Sequence, residues 1–278
     1  MIINDILDID SFECIEPTFD ALIDEYYTSL TLDTRAAEGR LLIDETDYPV
    51  AIALNTEGGW RVASFVARAS GIPLIEKMEE VGGDIYRESR EVWMTALREY
   101  YSRIIMEEVP PALEDTRPER VEMVRALIHD LWGEGRFSRC IDCCCGSGVG
   151  SAVLRDAGII PVAYDNDAAL LSLGLNTGRL RPEETMCIDA TRATAYLDVA
   201  EAGICLMMGD ISSFTSGMWE QITNELLALT DVTLITAATE PEIRRIEEWC
   251  TIQDRECEIF EQESDPIYDR WVCQARLI

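Results

Sequence analysis

From about residue 139 onward the apolar and polar positions switch regularly between two periods. Short continuous apolar runs at residues 139–144, 159–164, 185–188, 203–208 and 232–237 have the length of buried strands. Between them lie stretches of helical spacing at 148–157, 167–177, 191–199 and 217–229, and a last one that opens with Pro241 and ends near Ile252. Proline in a first helical turn gives up an N–H that has no intrahelical partner anyway. Strand and helix in this alternation predict a parallel sheet covered on both faces. At the end the rhythm breaks. Residues 257–261 and 269–277 alternate polar and apolar, with the turn-forming Ser264-Asp-Pro266 and no helix between them. They predict an antiparallel hairpin at the sheet edge. The predicted fold class is therefore α/β: a doubly wound, mainly parallel seven-stranded sheet with a terminal antiparallel hairpin.

The first 137 residues read as mainly helical. Residues 84–108 carry a long helical pattern stopped by Pro110-Pro111. Residues 117–132 carry a second, with Pro118 near its start and Gly133 after its end. Asn55-Thr-Glu-Gly-Gly59 and Gly82-Gly83 read as breaks between helices. The expected organisation is a helical domain at 1–137 and a Rossmann-like domain at 138–278. Tyr86, Trp93, Tyr100 and Tyr101 fall on the long predicted helix, either as core or as an aromatic wall for a substrate. A domain of this kind ahead of an open sheet is expected to supply selectivity and a lid that excludes water.

Chemistry concentrates after the first predicted strand. Gly146, Gly148 and Gly150 form a glycine-rich turn opening a helix, whose N-terminal N–H groups would face a bound anion or nucleoside. Asp165 follows 19 positions after Gly146, at the end of the next strand, where a carboxylate accepts hydrogen bonds from a ribose diol. Asp142 lies in the first strand, as a ligand contact or as a support for the turn, and Asp189 ends the third strand, as a ligand or as a helix cap. The loop after the fourth strand carries Asp210, Ser212, Ser213 and Phe214, at the strand ends where such sheets bind ligands. Asp210 and Ser212 are the candidate catalytic residues.

Composition narrows the partners. The 278-residue chain has a formal charge of −30, which repels nucleic acid and anionic membranes. No apolar run reaches membrane-spanning length, and Met1-Ile-Ile-Asn-Asp5 lacks the basic start of a secretory signal. The expectation is a cytoplasmic protein acting on a small molecule or a protein, with its 10 cysteines reduced. His129 and Lys77 are the only histidine and lysine, so imidazole or Schiff-base chemistry would have to use them. His129, beside Leu127, Ile128 and Leu131, reads as structural. Cys140, Cys143, Cys144 and Cys145 point to opposite faces if the strand continues through them, so no metal is expected there.

Cys140-Ile-Asp-Cys-Cys-Cys-Gly-Ser-Gly148 resembles the first motif of the class I S-adenosylmethionine-dependent methyltransferases: two apolar residues, an acid, an apolar residue and Gly-x-Gly-x-Gly. Asp142 stands at the acid, and Cys144, Gly146 and Gly148 at the glycine positions, Cys144 being a departure. Val162-Ala-Tyr-Asp-Asn-Asp167 and Cys187-Ile-Asp-Ala190 continue the resemblance. It implies S-adenosylmethionine as cosubstrate, bound by Asp142, Cys144, Gly146, Gly148, Asp165, Asn166, Asp189 and Ala190, and a methyltransferase activity. Met208-Gly-Asp-Ile-Ser212 lacks the Asn/Asp-Pro-Pro-Tyr/Phe motif of the enzymes that methylate exocyclic or amide nitrogens. Two alternatives stay open: a nicotinamide-dependent oxidoreductase, which would want glycine at Ser151, and a non-catalytic nucleoside-binding regulatory protein.

Overall fold

The computed structural model describes residues 2–69, 71–114 and 116–278. They form two compact units, 1–103 and 104–278, against the division after residue 137 read from the sequence.

The first unit is a mixed α/β sheet, which corrects the helical expectation. Its elements are α1 (Ile2–Leu7), β1 (Phe12–Cys14), α2 (Tyr26–Asp33), β2 (Glu38–Ile43), β3 (Pro49–Thr56), β4 (Gly59–Ser64), α3 (Gly71–Val81), β5 (Gly83–Arg87) and the start of α4 (Arg90–Glu108). The five strands lie in the order β1-β4-β3-β2-β5. Glu57-Gly58 is a two-residue hairpin connection between β3 and β4, not a gap between helices. Gly82-Gly83 leads into an edge strand. Gly83 (φ 128°) lies so close to β2 that a Cβ there would meet the Gly39 carbonyl oxygen at 1.9 Å. Helix α3 packs Leu74 and Met78 on Leu41, Ile52 and Leu54 of one sheet face. On the other face, Trp93 of α4 donates its indole N–H to Ser64 Oγ at 3.1 Å. Tyr101 donates to the Glu16 carbonyl at 2.9 Å. Tyr86 sits on β5, and Trp93 and Tyr101 are buried in this unit's core.

The second unit contains α5 (Pro118–Trp132), β6 (Arg139–Cys143), α6 (Val149–Asp156), β7 (Ile160–Asp165), α7 (Ala168–Thr177) and β8 (Thr185–Cys187). It continues with β9 (Ala200–Met208), α8 (Ser216–Leu229), β10 (Thr230–Ala237), α9 (Glu240–Ile252), β11 (Arg255–Glu261) and β12 (Trp271–Leu277). The predicted helix at 191–199 is a short 3-10 stretch, Ala190–Ala195. The seven strands run in the order β11-β12-β10-β9-β6-β7-β8. Only β12 opposes the rest, pairing antiparallel with both β10 and β11. This is the mainly parallel sheet with a closing hairpin expected from the pattern.

Period-two alternation sorts the faces. Cys140 and Asp142 pair with Ala202 and Ile204. Cys140, Ala202 and Ile204 pack against Val124, Ile128 and Trp132 of α5 and Val153 of α6. Thus α5 belongs to the core of the second unit. Gly203 faces the other way, and a Cβ on it would strike Leu226 of α8 at 2.9 Å. The chain builds β6, β7 and β8 outward in one direction, then returns to lay β9 on the other side of β6. That reversal leaves a crevice at the carboxyl ends of β6 and β9.

Candidate functional site

The crevice holds a cavity of about 310 Å³, at the small end of the roughly 300–1,000 Å³ range of small-molecule sites. Its floor is the turn after β6, with Asp165 at the end of β7 on one side and Leu206, Met207 and Gly209 on the other. Arg120 of α5 and Trp219 of α8 also line it.

The turn is built by left-handed backbone at Cys144 (φ 52°), Gly146 (φ 53°) and Gly148 (φ 84°). The Cys145 N–H donates to the Tyr164 carbonyl at 3.0 Å, and the Gly148 N–H to the Cys145 carbonyl at 2.9 Å. The three glycines have different reasons. A Cβ on Gly148 would lie 2.5 Å from Leu180 Cγ, and one on Gly150 would lie 2.9 Å from both Asp142 oxygens. Those two glycines serve packing within the protein. A Cβ on Gly146 would meet nothing within 4 Å, so this glycine faces the open cavity.

Asp165 is tied to the same turn. Its Oδ2 accepts the Gly146 N–H at 2.9 Å and its Oδ1 accepts the Asp167 N–H at 2.8 Å. Burial raises its pKa, opposed by those N–H donors. Each carboxylate oxygen has a second lone pair. Asp142 is buried to 1 % exposure, and its Oδ2 accepts the Ser151 hydroxyl at 2.7 Å. Burial pushes its carboxyl up to about 6. Asp142 thus fastens α6 to β6 and also lines the cavity.

The other expected site residues lie elsewhere. Asn166, Asp189 and Ala190 are not part of the cavity lining. Asp189 caps the 3-10 stretch, its Oδ1 accepting the Thr191 N–H at 2.9 Å and the Thr191 hydroxyl at 2.8 Å. Asp210 and Ser212 do not line the cavity either. Ser212 is engaged in the turn before α8, where its N–H donates to Thr215 Oγ1 at 2.9 Å. Ser213 is exposed, and Phe214 is 96 % exposed. His129 is exposed beside Asp130, outside the cavity.

Met207, Trp219 and Arg120 are among the lining residues that the sequence pattern does not reveal. Met207 bends the end of β9 with φ 54°, and Thr236 Oγ1 accepts its N–H at 2.6 Å. Trp219 stacks over Gly209, where a Cβ would be 3.1 Å from its ring. Arg120 donates to Asp269 Oδ2 at 3.1 Å and lies 4.9 Å over the Tyr268 ring. The Thr236 hydroxyl donates to Asp269 Oδ1 at 2.5 Å, so this fully buried carboxylate has two partners. Nothing in the spacing marks these residues, because they come from distant elements that meet only in the fold.

The cysteine stretch also needs correction. The Cys143 and Cys144 sulfurs approach to 3.8 Å and gather with Cys205 of β9. Divergence of successive side chains holds only within a strand, and β6 ends at Cys143. The left-handed Cys144 turns its side chain back. Hydrogen bonding with Cys143 raises the Cys144 thiol, and burial raises Cys145, so both are protonated at neutral pH.

No protein-family model matches this chain, and none of the curated proteins does. Among solved structures it is similar to a magnesium protoporphyrin IX methyltransferase from Synechocystis with bound S-adenosylmethionine (16 % identity, TM-score 0.44, covering 66 % of this chain and 96 % of that one). It is also similar to an S-adenosylmethionine-dependent methyltransferase from Clostridium acetobutylicum (11 %, TM-score 0.46, 59 % and 93 %). A third is the precorrin-6y C5,15-methyltransferase of Geobacter metallireducens (13 %, TM-score 0.45, 62 % and 94 %).

Proposed function

We propose that the crevice binds S-adenosylmethionine and that the protein transfers its methyl group to a small molecule or a protein side chain. One observation carries this reading. The glycine that faces the open cavity, Gly146, is hydrogen-bonded through its N–H to the acid that the motif assigns to the ribose, Asp165. The fit is chemical as well. Asp165 keeps lone pairs for a diol while both its oxygens are held by backbone N–H groups.

When bound, the cosubstrate supplies a methyl group already activated on a sulfonium sulfur. The protein's work is then orientation and water exclusion. Leu206, Met207 and Trp219 offer an apolar wall. Asp142 keeps the turn in place through Ser151. The lining contains neither histidine nor lysine, and Arg120 is paired with Asp269. A proton that has to leave the acceptor would go to a carboxylate or to solvent. In the nicotinamide reading, a glycine at 151 would let helix and strand approach closely; here Ser151 is fully buried and bonded to Asp142.

Calorimetry tests the proposal. S-adenosylhomocysteine should bind at micromolar affinity, about −8 kcal/mol. Asp165→Asn should weaken it by roughly 1.5–3 kcal/mol, since a charge-assisted acceptor is lost. Tight NADH binding with no response to S-adenosylhomocysteine would overturn the reading.

A further inference from the structure

A second group of thiols lies apart from the crevice. Cys250 near the end of α9, Cys257 on β11 and Cys273 on β12 have sulfurs all within 4.8 Å of one another. Their convergence follows from the fold. Cys273 pairs with Ile259, two residues from Cys257, so the two cysteines are diagonal neighbours on one face of the antiparallel pair. Cys250 comes down on that face from α9, two residues before the helix ends. Cys250 and Cys273 are fully buried and Cys257 is half-buried.

We propose that Cys250, Cys257 and Cys273 bind one thiophilic d10 metal ion, Zn²⁺ or Cu⁺, which ties the terminal hairpin to α9. Thiolates about 2.3 Å from a common ion stand about 3.8 Å apart in a tetrahedral set, so the trio needs only a small contraction. Three thiolates satisfy Cu⁺ outright, and they leave Zn²⁺ a fourth position for water on the accessible side, at Cys257. The ion replaces the thiol protons, which pass to solvent.

Arg255 supports the assignment independently. It is 9 % exposed, and its two terminal nitrogens donate to the carbonyls of Leu227 and Asp231. Its Nε is buried with no partner among the described residues. It stands two residues before Cys257 on β11, and its own carbonyl lies 3.7 Å from the Cys257 sulfur. A buried cation with a donor to spare offsets the net negative charge of a three-thiolate site.

The test uses the full chain, reduced and stripped of metal under anaerobic conditions. Titration with Co²⁺ should raise a thiolate-to-metal charge-transfer band that saturates at one equivalent for this site, and Zn²⁺ should remove it. A parallel Cu⁺ titration against a competing chelator decides which ion is held more tightly. Cys257→Ser, on a half-buried edge-strand position, should keep the fold by circular dichroism and lose that equivalent, weakening the affinity at least 100-fold. Cys144→Ser should retain it. Binding of neither ion by folded wild-type protein, or an equivalent that survives Cys257→Ser in the Cys144→Ser background, where the thiols near the crevice are also disabled, would overturn the site.

Discussion

The turn after β6 and the loop after β9 end neighbouring strands and line the same cavity, yet they are made by opposite means. The β6 turn uses glycine at two of its three left-handed positions, and its sequence shows it. The β9 end places Met207 in the same left-handed region with no glycine, held there by the Thr236 hydroxyl. A glycine pattern therefore reports backbone reversals only where the chain relieves them with glycine. Where a tertiary hydrogen bond sustains a left-handed residue instead, as at this irregularity within β9, it leaves no mark in the sequence.

The largest effect should come from Gly148→Ala. Left-handed strain of about 1–2 kcal/mol adds to overpacking against Leu180 of about 1–3 kcal/mol. Urea unfolding should show a loss of about 2–5 kcal/mol. A loss under about 1 kcal/mol would mean that Leu180 yields freely and that the glycine is dispensable for packing.

Next comes the pH dependence of Asp142. The folded protein keeps its proton up to about 6, against an ordinary value of 3.8. Between those values the folded state binds more protons than the unfolded one, so stability falls as pH rises. The contribution is fully present below 3.8 and gone above about 6, a swing of about 3 kcal/mol. Asp142→Asn, neutral throughout, should lack this decline when both proteins are unfolded across that window. Parallel profiles would place the proton elsewhere.

Gly146→Ala separates binding from stability. Its Cβ meets nothing, so only the left-handed strain of about 1–2 kcal/mol should appear in unfolding. Affinity for S-adenosylhomocysteine should nonetheless drop roughly tenfold or more, about 1.4 kcal/mol. Unchanged affinity would show that no ligand approaches the glycine.

The smallest effect is Met207→Gly. Glycine in a strand normally costs about 0.5–1 kcal/mol, but here it relieves a strained φ. Stability should hold or rise slightly; a clear loss would show that the left-handed Met207 is not strained.

The same contrast explains what could be read in advance. In the second unit each buried parallel strand is a short apolar run between helices, and the alternation of Cys257–Glu261 and Trp271–Leu277 marks the hairpin. The first unit hides its sheet. β3 is buried from Pro49 to Leu54 on both faces, so it lacks the alternation of a half-exposed strand. Gly58-Gly59 and Gly82-Gly83 belong to strand connections and pairings rather than to helix ends. At the site, Asp142, Cys144, Gly146 and Asp165 were legible because turn geometry demands local residues. Arg120, Met207 and Trp219 were not, since only packing brings them there. Asp189 was legible as an acid ending a strand, a pattern that capping and binding share.

The terminal hairpin also leaves β11 as a free border of the sheet. That border reads Arg-Glu-Cys-Glu-Ile-Phe-Glu, with glutamate at 256, 258 and 261. A second chain adding itself antiparallel along β11 would bring carboxylates against carboxylates, an arrangement that disfavours pairing. The glutamates of β11 thus work against edge-to-edge addition of a second chain. Because exposed charges are screened beyond a Debye length of about 8–10 Å at ordinary salt, that effect should weaken as ionic strength rises.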